Sequence, residues 1–126
     1  MNDIFDKVTA KYALLGGLIM STSDDDADDE EFGVVRIFIK DHWNREWGDV
    51  GLAIDQVTDV KHQLFGEPEL KDVHLKRFAE TLADAFDAQQ ADLFLGFLYE
   101  VMKADGIEDP DEFEIYTLFK NALNQT

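Results

Sequence analysis

The sequence predicts an all-α fold, one compact domain of about six helices, and three observations carry that expectation. Apolar residues recur at three- and four-residue spacing along most of the 126 residues, prolines occur only at Pro68 and Pro110, and no stretch alternates as a strand would. Hydrophobic residues make up 45% of the chain, ten of them Phe, which is enough to fill a core despite a formal net charge of −17. The length is that of one ordinary domain, spanning residues 1–126.

The first helix is predicted over residues 3–20, where Ile4, Val8, Tyr12, Leu15 and Ile19 fall on one face. Residues 21–29 have almost no apolar content, and the helical period returns from Phe32 through Val35, Phe38 and Ile39 to His42. Trp43-Asn44-Arg45-Glu46-Trp47-Gly48 breaks it. A third helix is predicted over residues 49–65, with Val50, Ile54, Val57 and Leu64 on one side, ended by Gly66-Glu67-Pro68. The fourth, over 69–88, carries Leu75, Phe78, Leu82 and Phe86. The fifth, over 90–104, is apolar over a wide arc (Phe94, Phe97, Leu98, Val101 and Met102) and is expected to sit centrally. The last, over 110–124, carries Phe113, Tyr116, Phe119 and Leu123. Gly16-Gly17 inside the first helix costs about 1 kcal/mol per residue relative to alanine, which predicts close packing against another helix.

Sliding the chain by 81 residues pairs Leu14 with Leu95, Asp24 with Asp105, Asp28 with Asp109, Glu31 with Glu112, Phe32 with Phe113 and Phe38 with Phe119, without a gap. Met20 then faces Val101, Val34 faces Ile115 and Ile37 faces Leu118, so core positions agree as well as acids. Two related helical hairpins, about 14–42 and 94–123, are expected, with the third and fourth helices between them.

Several function classes are excluded or disfavoured. With no cysteine there is no disulfide, thiolate nucleophile or zinc-thiolate site. The acidic start Met1-Asn2-Asp3 lacks a basic leader and no apolar run reaches the roughly 20 residues of a membrane span, so a cytoplasmic protein without membrane insertion is expected. A charge of −17 disfavours nucleic acid and favours cations or a basic protein as partners. No phosphate loop, nucleophile elbow or His-Glu-x-x-His motif occurs, and no enzymatic activity is expected.

Met102-Lys103-Ala104-Asp105-Gly106-Ile107-Glu108-Asp109-Pro110-Asp111-Glu112-Phe113 resembles the Ala-Asp-Gly loop and acidic helix start of the TerB-like tellurite-resistance family. A partial second copy stands at Ser23-Asp24-Asp25-Asp26-Ala27-Asp28-Asp29-Glu30-Glu31-Phe32, with Asp25 where the other copy has Gly106. The resemblance implies a small acidic all-helical domain in bacterial stress response or tellurite resistance.

The acids of these segments have two readings. Asp28 and Glu31, like Asp109 and Glu112, have the spacing of an N-cap and its third-residue partner, and Pro110 suits a first helical turn. Asp24 and Asp105 instead stand at the C-terminal ends of the preceding helices, where the dipole disfavours a carboxylate. Either each turns forward to the next helix, or a weakly held calcium or magnesium ion gathers Asp24, Asp28 and Glu31, and in the second copy Asp105, Glu108, Asp109 and Glu112. Neither segment is an EF-hand, since the twelfth residue is Val35 or Tyr116 and not Glu. The alternative to a cation-associated domain is a purely electrostatic binder or inhibitor, of immunity type or mimicking nucleic acid. Asp55, Asp59 and His62, and likewise His42 with Glu46, have helical metal-ligand spacing but fit a solvated face better; His74 is expected at the core boundary, and Trp43 and Trp47 as core caps or a partner anchor.

Overall fold

The computed structural model describes residues 5–21, 29–65, 71–103 and 110–123. Six helices run in the order α1 (Lys7–Ser21), α2 (Asp29–His42), α3 (Val50–Phe65), α4 (Lys71–Ala85), α5 (Ala88–Lys103) and α6 (Pro110–Leu123), with a 3₁₀ turn at Arg45–Trp47 and no strand among the described residues.

A Phe-Asp pair starts each of the two central helices. Before α1, the Thr9 N–H donates to Asp6 Oδ1 at 2.8 Å and the Asp6 N–H donates back to Thr9 Oγ1 at 2.9 Å. Before α5, the Gln90 N–H donates to Asp87 Oδ1 at 2.8 Å and the Asp87 N–H to Gln90 Oε1 at 2.9 Å. Both are reciprocal capping boxes, each satisfying helix-terminal donors that would otherwise lack a partner. Thr9 is buried, yet its hydroxyl also receives the Gln90 amide at 3.5 Å, so the two caps touch. Phe5 and Phe86, one residue before the caps, meet edge to face at 5.8 Å.

Those two contacts join positions 81 residues apart, the register of the repeat. Equivalent positions of the two repeats thus touch at this end of the two helices. Further along, Gly16 approaches Phe94 and Gly17 approaches Phe97, so contacting positions climb together and α1 and α5 pack parallel. The helix bounds agree: a shift of 81 residues carries Asp29–His42 onto Pro110–Leu123, and the start of α1 onto the start of α5. The predicted pair of related hairpins is therefore the framework, and α3 and α4 bridge it by packing on α1 and α6 respectively.

The predicted close approach at Gly16-Gly17 is where the two central helices meet. A Cβ on Gly16 would stand 2.4 Å from the Phe94 ring, and one on Gly17 2.4 Å from the Phe97 ring. Neither ring has room to retreat. Phe94 is fully buried among Phe86, Phe97 and Phe119, at 5.3, 6.5 and 5.8 Å between centroids, and Phe97 stacks on Phe38 at 3.9 Å. Phe78 and Tyr12 extend this aromatic seam to α4 and α1.

Four details differ from the periodicity. α1 has no single apolar face: residues 13–20 are all buried, whereas Val8, assigned to the stripe, is 57% exposed, and Ile4 lies outside the described residues. Packing by α2, α3 and α5 covers α1 all round over residues 13–20, and the helix shares the centre that the sequence predicts for α5 alone. The fourth helix stops at Ala85 and not at residue 88, because Asp87 caps the next one. Phe113, assigned to the apolar face of α6, is 62% exposed.

Gly16→Ala is expected to destabilise by about 1–3 kcal/mol, since overpacking against a trapped ring outweighs the helix propensity gained. Gly96→Ala, where an added methyl meets nothing within 4 Å, is expected to stabilise by up to about 1 kcal/mol. Urea midpoints of the two variants on opposite sides of the parent would establish the contrast. For the cap, the Thr9 N–H, acting against partial burial, holds the Asp6 carboxyl below its ordinary value. Asp6→Ala should cost about 1 kcal/mol at neutral pH. The folded-state value is lowered, so this contribution is present above the unfolded value of 3.8 and lost as pH falls through the folded one; parent and variant should converge in acid.

Candidate functional site

Asp24, Asp28, Asp105, Glu108 and Asp109 lie outside the described residues. Glu31 and Glu112 belong to the third positions of α2 and α6, with their side chains likewise outside the described set. The described helix ends supply a frame for these acids. In the chain, Asp28 and Asp109 immediately precede α2 and α6, while Asp24 and Asp105 follow the ends of α1 and α5 by three and two residues. Because α1 and α5 run parallel, the helix ends flanking the two acidic segments belong to the same end of the pair.

Elsewhere the weaker candidates separate. Asp55, Asp59 and His62 are all exposed along α3, a solvated face, and no group of three or more His, Asp or Glu among the described residues could hold a metal ion. His42 and Glu46 do not pair: the histidine is buried, and Glu46 is exposed in the following turn, where its N–H donates to Asn44 Oδ1 at 2.9 Å. His74 is half-buried on α4. Trp43 and Trp47 cap the core together, edge to face at 5.2 Å, with Trp43 Nε1–H donating to the Gly48 carbonyl at 2.9 Å. Gly48 closes this turn at φ +111, a conformation that favours glycine.

His42 is the buried group that spacing alone did not reveal. It is 9% exposed, wedged against Phe5 at 5.4 Å and Phe38 at 4.5 Å, and its Nδ1 has no hydrogen-bond partner among the described residues. Burial pushes its pKa below the ordinary value, and the neighbouring Asp41 carboxylate pulls the other way without prevailing. The position is also the last residue of α2. In the repeat register its counterpart is the buried Leu123, a signal in the sequence that the site is apolar.

The carboxylates present a different surface. Every described Asp and Glu whose side chain is placed is exposed, from Asp6 and Asp41 through Asp92 to Glu114. On the α5/α6 hairpin, Tyr99 and Tyr116 rings approach to 6.1 Å and Lys103 Nζ stands 4.9 Å over the Tyr99 ring. Tyr99 and Phe113 remain largely open to solvent there. No described helix is long and apolar enough to cross a membrane. No family model, curated protein or solved structure matches the chain.

His42→Leu is expected to stabilise the fold by about 1 kcal/mol at neutral pH by removing an unpartnered buried nitrogen. The folded-state pKa of His42 is lowered, so the unfolded chain takes up the proton more readily; stability is full above about 6.5 and falls as pH drops below it. Thermal melts across that range should show the slope in the parent and its loss in His42→Leu.

Proposed function

We propose that this chain is a non-enzymatic, cation-associated interaction domain of the TerB-like type, serving bacterial stress response or tellurite resistance through protein contacts. What supports the cation part is the repeat, which extends beyond the acids to helix bounds, caps and core positions. Two equivalent acidic segments then join equivalent pairs of helices, and a carboxylate just past a helix C-terminus gains from a compensating positive charge. Asp105, followed by Gly106, is the stronger of the two candidates, with Glu108, Asp109 and Glu112 as further oxygen donors; Asp24, Asp28 and Glu31 form the first copy. Calcium or magnesium suits such a set. The family role in resistance rests on the resemblance of the acidic loops and their chain context.

The second reading is an acidic binder that engages a basic protein without metal. It is favoured by the uniform exposure of the placed carboxylates and by the net charge of −17, which together create a diffuse negative field.

Calorimetric titration with calcium, magnesium, manganese and zinc separates the readings. The parent should bind calcium or magnesium saturably with a dissociation constant of about 10⁻⁴–10⁻³ M. Asp105→Asn should weaken that binding more than Asp24→Asn. Lack of both saturable heat and thermal stabilisation at about millimolar cation would remove the metal reading. Salt-sensitive capture of a basic protein, indifferent to cation, would then favour the second.

A further inference from the structure

We propose that His42 is an acid-operated latch on the start of α1: when its imidazole takes up a proton, Phe5 leaves its niche and the cap formed by Asp6 and Thr9 opens, while the helical body stays folded. The niche is built by three rings. Phe5 is 2% exposed and meets His42 at 5.4 Å, Phe38 at 5.9 Å and Phe86 at 5.8 Å, all edge to face. Among the described residues nothing bonds to His42 Nδ1, so a protonated ring in this place holds a buried charge and an N–H without an acceptor. Water relieves both once a neighbour moves aside.

Phe5 is the neighbour with least to hold it. Phe38 is stacked on Phe97 at 3.9 Å, and Trp43, next in the chain to His42, is tied by its Nε1–H to the Gly48 carbonyl, so the end of α2 is anchored on both sides. Phe5 stands ahead of the first turn of α1, where Asp6, Lys7 and Val8 are exposed and only Thr9 is buried before Ala10. Opening therefore uncovers few contacts and stops where the enclosed part of α1 begins.

The repeat supplies the same niche without the switch. Phe5, Phe38 and His42 correspond to Phe86, Phe119 and Leu123, and all three of those are buried. The start of α5, with its matching cap of Asp87 and Gln90, is an internal standard that acid leaves closed.

The charges around the ring leave its own proton in control. On α2, Lys40 and Asp41 are exposed, and the Asp41 carboxylate favours the charged ring without overcoming its burial. At the start of α1 the Asp6 carboxylate accepts from the Thr9 N–H and Lys7 is exposed; at the start of α5 the Asp87 carboxylate accepts from the Gln90 N–H; Arg45 and Glu46, in the turn after α2, are exposed. A latch closed on the neutral ring opens as pH falls below 6.5, the value of an open imidazole. The Asp6 cap itself titrates below 3.8, so the two events occupy separate windows.

The test is amide hydrogen exchange of the full chain between about pH 7 and 5, corrected for the intrinsic pH dependence of exchange, with histidine titrations followed by NMR. Protection at Thr9 and Ala10, whose N–H groups donate to Asp6, should fall by up to about tenfold per pH unit below the open value, while that at Gln90 and Ala91 is unchanged. His42→Leu should abolish the fall, and His62→Gln, on the exposed face of α3, should leave it in place. Phe5→Ala, which empties the niche and keeps the imidazole, should raise the His42 titration toward 6.5, a readout that does not depend on how any variant at 42 folds. Titration of His42 with constant protection at Thr9, an equal loss at Gln90 and Ala91, or a His42 titration indifferent to Phe5→Ala would overturn the proposal.

Discussion

The close approach of α1 to α5, glycine against phenylalanine, is the contact on which the rest of this fold depends. Gly16 and Gly17 remove the side chains that would otherwise hold the helices apart, and Phe94 and Phe97 enter the space. Once seated, those rings set the positions of others: Phe97 stacks on Phe38 of α2, and Phe94 meets Phe86 and Phe119 edge to face. Aromatic pairs of this kind contribute about 0.5–1.5 kcal/mol beyond the area they bury. Two glycines inside a helix are locally unfavourable, and that cost is offset by the contacts they admit.

Repetition built this core, and departures from it differentiate the two hairpins. Phe5 and Phe86, with Thr9 and Gln90 behind them, keep equivalent positions in contact at the N-terminal end of the central pair. Elsewhere equivalence is broken according to cover. Leu15, Leu18 and Ile19 are buried in α1, while the corresponding residues of α5 are the exposed Gly96, Tyr99 and Glu100. Of the two central helices the first is thus the hydrophobic one, enclosed on every side over residues 13–20, and α5 is amphipathic. His42 records the same asymmetry in reverse, a polar ring retained where the other hairpin has Leu123.

Electrostatics acts from outside this framework. The placed carboxylates are exposed, so they contribute little to packing and much to the field around the molecule. Among the described residues, His42 is the buried ionisable group, and its neutral form is the one compatible with its aromatic surroundings. Among the described residues, acid therefore acts on the fold through the capping Asp6 and the enclosed His42, both of which favour the folded state at higher pH.

Six helices, their order, the 81-residue repeat and the tight packing at Gly16-Gly17 were legible in the sequence, because spacing, caps and glycine pairs are local properties of the chain. The α4/α5 boundary was legible too, in the recurrence of Phe5-Asp6 as Phe86-Asp87, although periodicity alone runs through it. The acidic segments were legible as a pattern of residue types, a pattern equally compatible with caps and with cation ligands. Tertiary structure decided which apolar residues are covered. Val8 and Phe113 have the spacing of core residues and stand in solvent, while residues 13–20 are buried all round. The physical reason is that burial belongs to pairs of elements and not to one: a residue is enclosed only if another helix arrives over it. By itself, the sequence determined where helices form and that they repeat; only their packing decided that α1 lies enclosed, that His42 is desolvated and that the aromatic face of α5 and α6 stays open.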